Sequence, residues 1–188
     1  MSLKGWLKNG WLVEHVASPE ETRAHLDVIA RDLKDCALPG LSPDRKLAIA
    51  YAAALQAATA ALAAEGYRAS RDAHHYRVVE SLAHTLGLPP GQVRPLDTFR
   101  KKRNLCDYEV AGSVSDQEAA EAVAFATELK GRVETWLRKK HPERCGEEAS
   151  PLFRGDSPPQ AGALGAEPLG KCCVPGKGHR KHKTGTQH

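Results

Sequence analysis

Apolar side chains recur along this chain at steps of three and four residues, which is the spacing of one face of an α-helix. Alternation of apolar and polar residues, the pattern of a half-buried strand, is almost absent. A first helix is predicted to follow Ser18, which can cap it, with Pro19 in the first helical position and Glu21 completing a capping box. Pro39 and Gly40 stop this helix. Its inward face is predicted to carry Leu26, Ile29, Leu33 and Ala37.

The second predicted helix is rich in alanine and begins after Ser42 by the same device. It is predicted to end at Gly66, because glycine adopts the left-handed conformation at little cost. The alanines around its inward stripe let another helix approach closely. That stripe is predicted to consist of Leu47, Tyr51, Leu55, Ala58 and Leu62.

Three further helices are predicted, over about residues 72–86, about 95–110 and about 116–140. The fourth begins at Pro95 and is short and very polar, whereas the fifth begins with a capping box formed by Ser115 and Glu118. The inward side chains of the fifth helix are predicted to be Ala122, Ala126, Leu129, Val133 and Trp136. The pattern therefore predicts an all-α fold, an up-and-down bundle of four to five helices.

The character of the chain changes after Lys140, which divides it into two predicted parts. Residues 1–140 are interpreted as one compact helical bundle, with Trp6 and Trp11 packing an N-terminal arm on it. Residues 141–188 are rich in glycine and proline and show little periodicity, so they cannot bury enough apolar surface to offset their ordering entropy. We predict a disordered tail, whose end is basic from Lys171 onward.

Composition narrows the function classes only a little. The 188 residues suffice for one domain with a core, and a net charge of +4 excludes a strongly acidic or strongly basic protein. No stretch approaches the roughly 20 apolar residues of a membrane helix, and the N-terminus lacks the apolar core of a signal peptide. Five scattered cysteines fit a reducing compartment. A cytoplasmic protein with no membrane association is predicted.

We predict neither a metal site nor a cofactor. The most suggestive residues are the adjacent Cys172 and Cys173, followed by His179 and His182. Adjacent cysteines are poorly spaced for tetrahedral zinc, which needs about four ligands brought to one point. No glycine loop of the phosphate-binding type is present in the sequence.

The fourth predicted helix contains four consecutive cations, Arg100, Lys101, Lys102 and Arg103. These charges repel one another, so they need either solvent or an anionic partner. The polar residues Asn104 and Tyr108 follow and share a helix face. We interpret the four cations as a candidate nucleic-acid-binding surface, and a solvated face is the alternative. Arg103 and Tyr108 lie about 140° apart on an ideal helix. They converge on one ligand only if the helix bends or a second chain completes the cleft.

Several segments of the chain share features with a known family: residues 51–55, 65–68, 74–75 and 99–104, with Tyr108 and Glu109. On these segments the chain resembles the HEPN superfamily over about residues 40–137, and most of all its actinobacterial-type branch. Members are small helical bundles found in nucleotide-binding proteins and in RNase toxins of prokaryotes. The resemblance implies a homodimer, RNA or a nucleotide as ligand, and a nucleotidyltransferase or antitoxin as a possible partner.

Catalytic members of this superfamily carry an arginine, usually a polar residue after it, and a histidine after four to six intervening residues. Two such motifs face each other in the dimer and cleave RNA without a metal. Arg103 and Asn104 match the start of the motif, but Tyr108, Glu109 and Val110 occupy the three positions for histidine. Tyrosine has an ordinary pKa near 10 and is a poor proton shuttle at neutral pH. Standard catalysis is therefore predicted to be lost.

A histidine from another helix could replace the missing one. His74 and His75 stand near the start of the third predicted helix. If that end packs near Arg103, one imidazole can act as acid or base; the alternative is that both histidines are surface or packing residues. The candidate catalytic residues are Arg103, Asn104, Tyr108 and His75.

Three functions from different classes stay open on the sequence. The first is a non-catalytic RNA- or nucleotide-binding module of HEPN type that uses Arg103 and its cationic neighbours. The second is a metal-independent, toxin-like ribonuclease. The third is a structural bundle that binds another protein through a helix face. The absent motif histidine favours the first over the second, and the Arg103–Asn104 pair favours the first over the third.

Overall fold

The computed structural model describes residues 2–108 and 112–145, and most of them are helical. Seven helices and one two-stranded sheet form over these ranges. In chain order they are α1 (Leu3–Lys8), β1 (Leu12–Glu14), α2 (Pro19–Asp35), α3 (Pro43–Ala64), β2 (Tyr67–Ala69), α4 (His74–Thr85), α5 (Pro90–Tyr108), α6 (Asp116–Lys140) and α7 (Pro142–Cys145).

The alanine-rich helix α3 is the centre of the fold. It packs against α2, α4, α5 and α6, and its burial extends around most of its circumference. Ala50, Ala53 and Ala57 are completely buried, although none belongs to the predicted stripe. Alanine allows this because it has no side chain beyond Cβ, so neighbouring helices can approach closely. The prediction of a single inward stripe was therefore too narrow.

By length and apolar composition alone, α3 is the one helix among the described residues that could cross a membrane. However, 67% of its most apolar window is buried inside the fold. This is the burial expected of a core helix, which meets the same test of length and composition. The cytoplasmic location stays a prediction.

The predicted helix caps at three serines are confirmed. Ser18, Ser42 and Ser115 each accept a hydrogen bond from the backbone N–H three residues later. At Ser115 the reciprocal bond from the backbone to Glu118 completes the predicted capping box. The other predicted capping box, of Ser18 with Glu21, is wrong, because the Glu21 carboxylate binds His15 and Arg68 instead.

Two helix starts differ from the predictions. Helix α4 begins at His74 rather than near residue 72, because Ala73 adopts a left-handed conformation with φ of 49°. Helix α5 begins at Pro90, five residues before the predicted start at Pro95. Pro90 occupies the first helical position, where the missing N–H costs nothing. Pro95 removes only the hydrogen bond to the exposed Gly91 near the helix start.

The inward faces of the long helices follow the predictions closely. In α2, Ile29 is fully buried, but Ala37 lies beyond the helix end and is exposed; Cys36 is buried in its place. In α6 the four predicted aliphatic residues are buried and Trp136 is partly buried. Helix α7 continues ordered structure past the predicted boundary at residue 140. The rest of the predicted tail, 146–188, lies outside the described residues.

The sequence pattern did not predict the two strands. β1 and β2 are antiparallel, with Leu12 opposite Ala69 and Glu14 opposite Tyr67. The ladder is extended by a hydrogen bond from the His15 N–H to the Gly66 carbonyl oxygen, at 2.9 Å. Gly66 has a φ of 90°, the left-handed conformation predicted for the end of α3. Strands of three residues are too short to show the alternation on which strand prediction depends.

The N-terminal arm packs on the bundle through its tryptophans, as predicted. Trp6 is buried, and its ring centroid lies 5.8 Å from that of Trp11 and 5.1 Å from that of His84 on α4. The Arg77 guanidinium lies 5.4 Å from the centroid of Trp11, which is within the range of a cation–π contact. These contacts join α1, and Trp11 just before β1, to α4.

We expect Glu21→Gln to weaken the attachment of the β-sheet to α2. Glu21 accepts hydrogen bonds from His15 Nε2 at 2.8 Å and from Arg68 at 2.9 Å. Partial burial raises the pKa of Glu21, but the hydrogen bonds and charges of His15 and Arg68 together lower it by more. The pKa of Glu21 therefore lies below its ordinary value. The stabilisation is therefore complete above about pH 4.3, the ordinary value, and is lost as pH falls below it.

Urea unfolding at pH 7 should show Glu21→Gln to be less stable by roughly 0.5–1 kcal/mol, as for a partly exposed ion pair. The difference from wild type should shrink at pH 3. Glu14→Gln is the matched control, since the Glu14 side chain is exposed on β1 and forms no ion pair within the described residues. An equal effect of the two substitutions at both pH values would contradict this account.

Candidate functional site

Carboxylates of the same chain pair with cations of the basic run on α5. Asp97 binds both Arg100, at 2.8 Å, and Lys101, at 2.9 Å. Lys102 pairs with Glu118 at the start of α6. The electrostatic repulsion within the run is thus relieved inside the fold. Because two carboxylates, Asp97 and Glu118, offset part of the charge of these three cations, the basic helix presents a weaker positive surface than its sequence indicates.

Arg103 differs from its neighbours in its position, because it lines a cleft. The cleft has a volume of about 360 Å³ and lies where α2, α3, α4 and α5 meet. The Arg103 guanidinium also lies 3.4 Å from the side-chain oxygen of Asn104, its neighbour in sequence. The polar residues that line the cleft are Asp32, Asp35, Tyr51, Gln56, His75 and Arg103.

His75, at the start of α4, shares this cleft with Arg103. Its ring centroid lies 5.9 Å from that of Tyr51. Desolvation lowers the pKa of His75, and nearby positive charge, including that of Arg103 and Arg100, lowers it further. The imidazole is therefore neutral at pH 7 and able to accept a proton or a hydrogen bond. The start of α4 thus packs near Arg103, as it must if His75 is to replace the missing motif histidine.

Tyr51 is the residue that sequence reasoning missed as a site candidate. It lines the cleft, yet only 2% of its surface is exposed, and its hydroxyl has no hydrogen-bond partner among the described residues. Burial raises the pKa of Tyr51 to about 12, although Arg100 and Arg103 oppose the rise. The phenol is consequently neutral and can donate a hydrogen bond. The sequence signal that could have identified Tyr51 was its hydroxyl, a polar group on the otherwise apolar stripe of α3.

The remaining predicted site residues are not brought into the cleft. Arg100, Lys101 and Lys102 do not line it, and Asn104 approaches it only through Arg103. The side chain of Tyr108 lies outside the described part of the chain. In the cleft, the geometry therefore brings Arg103 together with His75 and Tyr51, two residues from other helices.

The wall that α2 contributes to the cleft is acidic. Asp32 is 9% exposed and accepts two hydrogen bonds from Arg31, at 2.7 and 3.1 Å. Asp35, one turn later, lines the cleft as well. The cleft thus has carboxylates on one side and a guanidinium and an imidazole on the others. This mixed charge suits a ligand that has both an anionic group and hydrogen-bond donors.

A second cleft of about 330 Å³ adjoins the first and shares Leu55, Gln56 and His75 with it. The His25 Nδ1 atom lies 2.8 Å from the side-chain oxygen of Gln56, which fixes the amide between the two clefts. Together the clefts follow α3 from Ala48 to Ala63, a distance of about 22 Å at 1.5 Å per residue.

In the described ranges, 2–108 and 112–145, no three metal-ligating side chains come together. Cys172, Cys173 and the histidines near them lie outside these ranges. No family model, curated protein or solved structure matches this chain. The resemblance to the HEPN superfamily therefore stays a hypothesis.

We expect Tyr51→Phe to stabilise the protein when no ligand is bound. A buried hydroxyl without a partner costs on the order of 1–3 kcal/mol, and phenylalanine removes it while keeping the ring that fills the core. Urea unfolding should therefore show a gain of about 1 kcal/mol. Tyr67→Phe, at a partly buried tyrosine of β2, serves as the control. A loss of stability in Tyr51→Phe would mean that the hydroxyl is already satisfied.

Proposed function

We propose that this protein is a nucleotide-binding helical module of HEPN type, whose ligand occupies the cleft beside Arg103. The observation that carries the proposal is the convergence of three side chains from three helices on that cleft: Tyr51 from α3, His75 from α4 and Arg103 from α5. Its volume, about 360 Å³, is within the range of small-molecule sites.

Arg103 would bind the phosphate of the ligand. A guanidinium has a planar set of N–H donors that can hold a phosphate through two parallel hydrogen bonds, whereas a lysine acts as a point charge. The Asn104 side-chain oxygen, 3.4 Å from a terminal nitrogen of Arg103, would help orient the guanidinium. The Tyr51 hydroxyl would donate to the ligand, and the neutral His75 ring would accept from it or stack on the base.

The ion pairs of α5 favour a nucleotide over a long RNA as the ligand. Non-specific RNA binding depends on several phosphate contacts from unpaired cations. Here Arg100 and Lys101 share Asp97, and Lys102 is held by Glu118. A broad RNA surface along Arg100–Arg103 would have to break these pairs, while a ligand in the cleft leaves them intact.

The architecture of the proposed family is supported by the number of long helices. α2, α3, α4, α5 and α6 each span at least twelve residues and correspond to the five helices predicted from the sequence. The up-and-down bundle follows from the helical pattern of the sequence, whereas the homodimer and a nucleotidyltransferase or antitoxin partner follow from the HEPN resemblance alone. We retain them as parts of this proposal.

Arg103→Ala should weaken nucleoside monophosphate binding by on the order of 1–3 kcal/mol, the loss expected for a charge-assisted hydrogen bond. Isothermal titration calorimetry with GMP and AMP measures this directly. Lys101→Ala is the matched control: Lys101 is exposed and paired with Asp97, so its loss should cost less and disappear at high salt. Equal affinities of wild type and both variants at two salt concentrations would contradict the site.

A second candidate is a metal-independent ribonuclease, which the position of His75 beside Arg103 favours. A neutral imidazole is the proton acceptor that Tyr108 cannot supply at neutral pH. Wild-type protein should then degrade total RNA in the presence of EDTA, and His75→Ala or Arg103→Ala should each abolish the activity. His84→Ala, at an exposed histidine of the same helix away from the cleft, should retain it. Intact RNA after prolonged incubation with wild type would exclude the ribonuclease, and nucleotide binding would then be the one function proposed for the cleft.

A further inference from the structure

The N-terminal arm and helix α4 enclose a pocket that the proposed nucleotide site does not use. Its volume is about 340 Å³, within the range of small-ligand sites, and it shares no lining residue with the two clefts along α3. One wall comes from the arm, and the other is a stripe that follows α4 and the residue before it at steps of three and four. The lining residues are Trp6 and Trp11 of the arm, and Ala73, Tyr76, Arg77, Glu80 and His84.

The aromatic rings of this pocket lie in different planes. Trp6 is buried, and its ring makes an angle of 69° with the ring of Trp11, at a centroid distance of 5.8 Å. Its angle with the ring of His84 is 86°, at 5.1 Å. Tyr76 lines the same pocket with 49% of its surface exposed. Because the face of an aromatic ring is negative, rings in different planes can attract a cation from several sides.

The acidic residue of the pocket, Glu80, is left free by its cationic neighbour. Arg77 and Glu80 are three residues apart on α4, a spacing at which ion pairs can form. Instead, the Arg77 guanidinium donates to the Ser70 hydroxyl and lies 5.4 Å from the centroid of Trp11. The partly buried Glu80 carboxylate forms no ion pair or hydrogen bond within the described residues. A carboxylate therefore stands ready for a ligand in a pocket lined by aromatic rings.

The lining also limits the kind of cation. A primary ammonium has three N–H donors, each of which needs an acceptor, whereas most of this lining is aromatic carbon. A quaternary ammonium group has no N–H donor, and its methyl groups can pack directly on ring faces. Arg77 offsets the long-range field of Glu80, so binding depends on close contact with the rings and the carboxylate. These conditions favour a quaternary ammonium group over a primary one.

We propose that this pocket binds a quaternary ammonium group, with Glu80 as the counter-charge and Trp11 and Tyr76 as cation–π partners. Small molecules such as choline carry this group, and so does a trimethylated lysine side chain. The chemistry of recognition is the same for both sources. The site is independent of the nucleotide cleft, and the failure of either leaves the other standing.

NMR titration of the ¹⁵N-labelled full chain at pH 8 tests the proposal. The ligands are choline, a peptide with trimethyl-lysine, and 3,3-dimethylbutanol, which has the shape of choline without its charge. Choline and the peptide should shift the indole N–H signals of Trp6 and Trp11, and leave that of Trp136, on α6 outside the pocket, unchanged. The tighter of the two identifies the source of the group. The neutral analogue should bind at least tenfold more weakly than choline.

Two substitutions in the pocket complete the experiment. Glu80→Gln should weaken choline binding about tenfold and Tyr76→Ala about fivefold, as expected for the loss of a counter-charge and of one cation–π contact. Glu121→Gln, at an exposed carboxylate of α6 outside the pocket, should leave the affinity unchanged.

Three results would overturn the proposal at different points. Equal affinities for choline and its neutral analogue would overturn the recognition of charge. Unchanged choline affinity in both pocket variants would overturn the assignment of the site to Glu80 and Tyr76. Indole signals of Trp6 and Trp11 that do not move with choline or the peptide at tens of millimolar would overturn the binding itself.

Discussion

Helix α3 can be surrounded by four other helices only because so many of its contact positions are alanines. Interhelical distances follow the size of the side chains at the contact, and residues such as Ala50, Ala53 and Ala57 leave nothing beyond Cβ to separate the backbones. α2, α4 and α5 consequently converge along one side of α3 and contribute to a common cleft. The candidate cleft thus depends on the small side chains of the core helix. A larger residue at these buried positions would move apart the very helices that supply Asp35, His75 and Arg103.

Local features of the fold could be predicted from the sequence, and features that depend on tertiary packing could not. Ser18, Ser42 and Ser115 cap helices because their hydroxyls bond to backbone N–H groups three residues away, an interaction contained within one turn. The Glu21 side chain, by contrast, has partners 6 and 47 residues away, and these override the local capping box. The short strands exist only because the arm meets the end of α3, which no pattern within three residues can indicate.

The candidate site was predictable to the same extent. Arg103 was singled out by its place in a motif and His75 by its chemistry, but their shared cleft depends on how α4 and α5 pack on α3. The ion pairs of Lys102 with Glu118 and of Lys101 with Asp97 reduce the positive charge that the basic run offers to a ligand, and the sequence does not reveal them. Tyr51 was assigned to the core, correctly, and its hydroxyl gained significance only from the absence of a partner among the described residues. The side-chain environment of a polar atom cannot be inferred from its position on a helical stripe.

The pairing of β1 with β2 also has a consequence for the order in which the chain folds. Glu14 and Tyr67 are neighbours in the sheet, yet the whole of α2 and α3 lies between them in sequence. Closing so long a loop carries an entropic cost that short-range contacts avoid. During synthesis on the ribosome, Trp6 and Trp11 emerge early and have neither strand partner nor α4 to cover them. The arm is therefore made well before the residues that cover it, and until residues near 84 have left the exit tunnel its indole rings are surfaces that a chaperone can recognise.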